Sequence, residues 1–249
     1  MKIITAKDYS NMSEIAASTI LERVKQSSKI TLGLATGGTP VKTYNYLIND
    51  YKNNKTSYQH VVTFNLDEYT GMKPTNPNSY HYYMEKNLFE HIDIPNNQTH
   101  LPNGAADDFE LECKTYEQKI AEHNGVDLQI LGLGSNGHIG FNEPGTAFDT
   151  RTHIVDLSSA TRKANARYFD NIDEVPTQAI TMGIATILES KEILLLVSGE
   201  RKSRALEKLL HGEIDTSFPA SILNQHKNVT IIADNEALKY VDISSSMIR

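Results

Sequence analysis

The chain of 249 residues carries a formal charge of −7 and no basic stripe able to neutralise phosphates, which excludes general nucleic-acid binding. Its single cysteine, Cys113, excludes an intramolecular disulfide, and no apolar run approaches the length of a membrane span. Without an apolar signal segment near Met1, the chain reads as a cytoplasmic globular protein.

In chain order, residues 2–6 make a short strand. Met12, Ile15, Ala16, Thr19, Ile20 and Val24 then recur at helical spacing over residues 11–26, with Asn11 and Glu14 placed as a capping box. A second strand, 30–34, runs into Thr36-Gly-Gly-Thr-Pro40, where Thr39 suits an N-cap and Pro40 the first helical position. Val41, Tyr44, Ile48 and Tyr51 give that helix its inner face. A third strand, 61–66, ends at Asp67-Glu68-Tyr69. Residues 70–78 are loop, and a tyrosine-rich helix follows over 79–91. A helix over 107–123, through Phe109, Cys113, Tyr116 and Ile120, stops at Asn124-Gly125. Cys113 and the tyrosine-rich helix are assigned to core packing.

The apolar run 126–131 is a buried strand that opens onto residues 132–145, where five glycines surround a histidine, a glutamate and two asparagines. Such a density of glycine makes a shaped loop rather than a helix or strand. Beyond it come a strand at 152–157, helices at 158–169 and 183–190, a strand at 192–197, a helix at 200–211 and a strand at 228–233. A short helix and a polar tail close the chain. Strands alternating with helices along the whole length predict an α/β fold. Residues 1–249 form one domain, a doubly wound, mostly parallel sheet with helices on both faces and its chemistry at the strands' carboxyl ends.

Three strand ends offer that chemistry. Gly37, Gly38 and Thr39 form either a plain turn or a cradle for a monophosphate at a helix start. They lack the spacing and the Lys-Ser/Thr ending of a Walker A motif. A phosphate near its dianionic form needs cations, and the candidates are Lys202 and Arg167, the latter in a segment with Arg162 and Lys163. Solvated surface charge is the alternative for each. At Asp67-Glu68, strand alternation lets only one carboxylate face the crevice, which makes Asp67 a candidate base as against an ordinary capping residue.

In the glycine loop, Gly132-x-Gly134-x-x-Gly137 matches the dinucleotide fingerprint, and Asp156 falls about 20 residues on, where a ribose-binding acid would stand. Gly140, Pro144 and Gly145 interrupt the long helix that fingerprint requires, so the match is set aside. His138 is more informative. Imidazole titrates near neutral pH and can accept and return protons, with Glu143 to orient it; a histidine bonded to its own loop is the alternative. No His-x-His, His-Glu-x-x-His or cysteine cluster assigns a metal.

Taken together and in this order, Thr36-Gly-Gly-Thr-Pro40, Phe64-Asn-Leu-Asp-Glu-Tyr69, Gly132-x-Gly-x-Asn-Gly-His-Ile-Gly-Phe-Asn-Glu-Pro144 and Thr161-Arg-x-x-Asn-Ala-Arg167 closely resemble the glucosamine-6-phosphate deaminase (isomerase) family over essentially the whole chain. The resemblance implies a Rossmann-like fold and the conversion of D-glucosamine 6-phosphate and water into D-fructose 6-phosphate and ammonia, without metal or organic cofactor. It implies that Asp67 moves a proton from C2 to C1. His138 would open the pyranose ring, supported by Asn136 and Glu143. Gly37, Gly38, Thr39, Arg167 and Lys202 would hold the phosphate, and residues 158–181 resemble the family's active-site lid. The implied partner is a small sugar phosphate, with no nucleic acid and no membrane.

Two departures carry their own expectations. Many family members have aspartate where Asn136 stands, so His138 is expected to lean more on Glu143. Hexameric relatives activated by N-acetylglucosamine 6-phosphate carry basic residues where His153 and Val155 stand here, and a tyrosine in a longer C-terminus. A monomer or small homo-oligomer without that activation is therefore expected. The rival functions are a 6-phosphogluconolactonase-like hydrolase of the same fold group and a non-catalytic sugar-phosphate-binding regulator. Asn142-Glu143-Pro144 with Asp67-Glu68-Tyr69 favours the deaminase over the first. The joint presence of Asp67, His138 and Glu143 favours it over the second.

Overall fold

The seven strands of the main sheet all run parallel. They are β1 (Lys2–Ala6), β2 (Ile30–Leu34), β3 (Val61–Asn65), β5 (Thr99–His100), β6 (Leu128–Gly132), β9 (Glu192–Val197) and β10 (Val229–Asp234). Their order is β1-β10-β9-β6-β2-β3-β5. The computed structural model describes residues 1–166 and 169–242, with backbone alone for Ala160 and Ala164.

Side-chain alternation divides the core into two layers. Ile193, Leu195 and Val197 of β9 join one cluster and Leu194 and Leu196 the other, as Ile231 and Ile232 do in β10. Burial on both faces is why these strands read as continuous apolar runs. One layer is closed by α1 (Tyr9–Gln26), α2 (Val41–Asn54) and α3 (Tyr80–Asn87), through Met12, Ile20, Tyr44, Leu47 and Met84. The other is closed by α4 (Phe109–Glu122), α6 (Ile184–Leu188) and α7 (Ser203–His211), through Tyr116, Ile120, Ile187, Leu206 and Leu209. The remaining helix, α5 (Ser159–Asn165), lies beside the site described below. Among the described residues no helix is long and apolar enough to cross a membrane.

Two helix starts differ from expectation. Asp8, not Asn11, caps α1: its carboxylate accepts from Asn11 N at 2.9 Å, while Asn11 Oδ1 accepts from Lys7 N at 3.1 Å. A carboxylate with extended backbone there satisfies an orphan N–H and starts the helix earlier. At α2, Pro40 takes the cap position and no side chain caps the helix, so Thr39 is not engaged there. The inner face of α2 is Thr43, Tyr44, Leu47 and Ile48, with Val41 and Tyr51 only partly buried.

A second sheet, antiparallel and in the order β4-β8-β7, was not foreseen: β4 (Asp67–Tyr69), β8 (Gln178–Thr181) and β7 (His153–Asp156). Its central strand, β8, carries only Ala179 and Ile180 as a local apolar signal, and pairing with two distant segments makes it a strand. Residues 158–181 therefore hold both α5 and this strand. Asp156 bonds Gln178 Nε2 at 2.8 Å on β7, and no helix follows Gly137, so nothing of a dinucleotide site forms.

Glu68 ties this small sheet to α3. It is fully buried and accepts from the backbone N–H groups of Tyr69, Tyr80 and His81 at 2.9, 3.0 and 3.0 Å, with His81 Nδ1 also at 3.0 Å. The carboxylate thus answers orphan donors at the α3 N-terminus, where the helix dipole also favours it. Glu68→Ala leaves those donors unpaired and is expected to destabilise the fold by about 3 kcal/mol in urea unfolding; a loss under about 1 kcal/mol would show that the link is dispensable.

Candidate active site

Strand order reverses between β2 and β6: the chain builds outward through β3 and β5 on one side and through β9 and β10 on the other. Two loops diverge at such a point and leave a crevice beyond the strands' carboxyl ends. Here it is a cleft of about 1380 Å³, walled by residues 35–39 after β2, residues 132–138 after β6 and residues 198–202 after β9, with Asp67 and Tyr80 on its floor.

Asp67 reaches the cleft because the chain leaves the main sheet after β3. Leu66 N still bonds Leu34 O at 3.0 Å, but Leu66 O accepts from Met182 N at 2.7 Å, and Asp67 then pairs with Thr181 of β8. Alternation, which lets only one of the two carboxylates face the crevice, sends Glu68 to the opposite face. Asp67 is only 7% exposed, and its carboxylate has no protein donor among the hydrogen bonds of the described residues. Burial, with the Glu68 charge next door, pushes its pKa up to about 8.

The His138 loop is shaped by its own short bonds, Gly134 N to His138 O at 2.9 Å and Gly137 N to Gly134 O at 3.0 Å. A Cβ on Gly134 would lie 2.5 Å from the imidazole, so this glycine makes the space in which His138 rests. Gly140, at φ +59°, brings the loop backbone against Asp67: a Cβ there would stand 2.9 Å from Thr181 Oγ1 and 3.8 Å from Asp67 Oδ2. Phe141 N bonds Thr181 Oγ1 at 3.1 Å, and Asn142 Nδ2 reaches Ile139 O and Met182 O at 2.9 and 2.8 Å. Burial pulls the His138 pKa below its ordinary value; Glu143 opposes this and Lys202 adds to it. The resting imidazole is therefore neutral near pH 7.

Glu143 Oε2 stands 3.9 Å from His138 Nδ1, outside hydrogen-bond range, and accepts from Asn136 Nδ2 at 2.7 Å. Asn136 Oδ1 in turn accepts from His138 N at 3.2 Å. Asn136 thus grips the carboxylate and the loop backbone, not the imidazole. Thr161, in the first turn of α5, donates its hydroxyl to the other Glu143 oxygen, and Ser158 Oγ lies 3.4 Å from that oxygen.

At the far end, the cradle carbonyls are tied back by tyrosines: Tyr83 OH donates to Gly37 O at 2.6 Å and Tyr9 OH to Gly38 O at 2.9 Å. The N–H groups of Gly37, Gly38 and Thr39 are used in no hydrogen bond among the described residues. Across the cleft, Asp234 takes Ser198 Oγ and Gly199 N and sets the turn that presents Lys202. Of the residues expected from sequence, Asp67, Asn136, His138, Gly37, Gly38, Thr39 and Lys202 line one cleft, and Glu143 stands behind Asn136. Arg167 lies outside the described residues.

The sequence reading missed Tyr80, Tyr83, Arg201, Arg204 and Thr161. The tyrosine-rich helix is more than core packing, since Tyr80 lines the cleft and Tyr83 braces the cradle; a tyrosine repeat at a helix start facing two loops was the available signal. Arg201 and Arg204 flank Lys202 on the cleft wall. Cys113 stays in the core, its thiol pushed up by burial to about 11.

A family model described as glucosamine-6-phosphate isomerases/6-phosphogluconolactonase matches residues 7–232. Glucosamine-6-phosphate deaminase of Halalkalibacterium halodurans is 58% identical over 246 residues, covering 99% of this chain and 100% of that protein. Glucosamine-6-phosphate deaminase 1 of Bacillus subtilis is 51% identical over 237 residues, covering 95% and 98%. Among solved structures, a monomeric glucosamine-6-phosphate deaminase matches with a TM-score of 0.95 at 50% identity, covering 96% of this chain and 100% of that one. The 6-phosphogluconolactonase of Thermotoga maritima shares the fold, with a TM-score of 0.74 at 23% identity over 94% and 98%.

Burial of Asp67 has a stability cost with a defined pH window. The folded chain keeps the proton up to about 8 whereas the ordinary value is 3.8, so between these the folded state binds more protons and stability falls as pH rises. Asp67→Asn is expected to raise thermal stability at pH 8 to 9 by on the order of a few kcal/mol, and by little near pH 4. Melting curves at the two pH values check this; an equal shift at both would mean that the carboxylate is not held protonated.

Proposed function

Since the chain belongs to the glucosamine-6-phosphate isomerase/6-phosphogluconolactonase family, we propose that it is a deaminating member, converting D-glucosamine 6-phosphate and water into D-fructose 6-phosphate and ammonia. The observation that carries this reading is the convergence of Asp67 and the His138 loop on one cleft, both held by the end of β8. Its relatives at 50% identity and above are named deaminases, whereas the lactonase likeness supports the fold alone.

A closed pyranose has no acidic proton at C2, because that acidity needs an open carbonyl at C1. Ring opening therefore comes first. His138, neutral at rest, takes the proton of the C1 hydroxyl and returns one to the ring oxygen, while Asn136 and Glu143 support it. Asp67 then removes the C2 proton; the electron pair forms the C1–C2 double bond and the C1 oxygen takes a proton given up by the substrate's ammonium, which leaves an enolamine with a free nitrogen lone pair. The same carboxyl delivers its proton to C1 as the nitrogen lone pair forms the C2 imine. Water adds at C2 and ammonia leaves, so the net change is hydrolysis of a carbon–nitrogen bond.

Asp67 must be ionised to act, whereas burial and the neighbouring Glu68 charge favour its neutral form near pH 7. The substrate's own ammonium, at C2 beside it, supplies the countercharge that draws the carboxylate back to its ionised form. Gly37, Gly38, Thr39 and Lys202 hold the phosphate, with Arg167 joining them in the proposal; this anchor sets C1 and C2 against Asp67. Residues 158–181 supply the lid, anchored at its β8 end by pairing with β4 and β7.

We extend the proposal to a cytoplasmic enzyme working as a monomer or small homo-oligomer. The match over the full length of a monomeric deaminase supports the latter. His153, where hexameric relatives carry a cation, has Nδ1 on Arg151 O at 2.9 Å and a pKa lowered by burial, so it offers an activator phosphate no fixed charge.

A coupled assay is expected to show ammonia and fructose 6-phosphate released in equal amounts, with no lactone hydrolysis, and Asp67→Asn to lower kcat by roughly 10³-fold. Lactone hydrolysis alone would assign the chain to the rival hydrolase, and binding without turnover to the regulator. Substrate dependence is expected to be hyperbolic and unchanged by N-acetylglucosamine 6-phosphate; sigmoidal kinetics relieved by that compound would overturn the expectation.

A further inference from the structure

The two oxygens of Glu143 are held from different sides. Oε2 takes Asn136 and faces His138 Nδ1 across 3.9 Å. Oε1 takes the Thr161 hydroxyl, with Ser158 Oγ at 3.4 Å. Thr161 is 9% exposed, and its hydroxyl has only one proton to give. Ser158 Oγ lies 3.0 Å away and donates to Thr161 Oγ1, while Thr161 N donates back to Ser158 Oγ at 3.1 Å as the cap of α5. That arrangement leaves the Thr161 proton for Glu143.

The same helix has two other attachments. Arg162 clamps it to Val175 O at 3.0 Å and Ile172 O at 3.1 Å, on the segment leading into β8. Asn165, its last residue, lines the cleft. One short helix thus touches the substrate space at its end and the Glu143 carboxylate at its start. Meanwhile His138 Nδ1 is buried with no hydrogen-bond partner among the described residues. A displacement of Glu143 by about 1 Å would bring Oε2 within bonding range of it.

We propose that Thr161, supported by Ser158, is a positioning residue for Glu143: the first turn of α5 sets the distance between that carboxylate and the imidazole that opens the sugar ring. The proposal rests on the deaminase reading above. Asn165, at the other end of α5, lines the cleft, so the element that holds Glu143 in place also walls the substrate space.

The test is a double-mutant cycle on kcat. Thr161→Val keeps the shape and removes the donor; Thr161→Ser keeps the donor. Valine is expected to lower kcat about tenfold with KM changed less than about threefold, and serine to stay within about threefold of wild type. In a Glu143→Ala background, valine is expected to cost nothing further, because its effect passes through the missing carboxylate. Wild-type kcat in the valine variant, equal losses for valine and serine, or a full tenfold loss in the Glu143→Ala background would each overturn the proposal. Absence of turnover by the wild-type chain would instead overturn the deaminase reading itself.

Discussion

The end of β8 is the fixed point of the site. Thr181 pairs with Asp67 on one side and with His153 on the other, and its hydroxyl accepts the Phe141 N–H of the His138 loop. The next residue, Met182, donates to Leu66 O and accepts from Asn142 Nδ2. Asp67 and the His138 loop, far apart in the chain, are thus referred to two consecutive residues. Ile139 and Phe141 of the loop are buried as well, Ile139 in a main-sheet core layer and Phe141 beside Tyr69 in a separate cluster. Proton transfers between adjacent carbons tolerate little misplacement, and a shared support of this kind removes most relative motion of the groups involved.

Two neighbouring carboxylates show how environment divides chemistry from structure. Glu68 and Asp67 are both buried, but Glu68 meets four donors and serves as a joint between β4 and α3. Asp67 meets none, and the combination of burial with the Glu68 charge keeps its proton on until the pH nears 8. A buried charge without donors is costly, and the fold carries that cost at Asp67, the residue proposed as the base. The cleft as a whole runs against the chain's net charge of −7: Lys202, Arg201 and Arg204 line it, so an anionic group is met locally by cations and N–H donors.

Much of the site was legible because its residues sit where chain direction changes. The glycines after β6, the Thr36–Thr39 motif after β2 and the Ser198-Gly199 turn after β9 all mark loops at strand ends, and the parallel sheet brings all three to one edge. Alternation allowed only one of Asp67 and Glu68 to face the crevice, and the family resemblance pointed to Asp67. What was not legible had no local mark. The strand β8 is four residues with an ordinary composition, and its partners lie across the fold. Asn136 was read as support for the imidazole, yet its amide goes to Glu143, a choice made by the curl of the loop. Tyr83 and Thr161 act through hydroxyls aimed at residues remote in sequence.

The sequence by itself determined the parallel α/β architecture, the loops at the strand ends and the candidate groups those loops carry, because periodicity, glycine content and titrating side chains are local properties. Only the tertiary structure decided the second sheet, the raised proton affinity of Asp67 and the grip of α5 on Glu143. Each of these depends on which distant atoms share a volume, and burial and hydrogen-bond partners arise from that volume rather than from the order of residues.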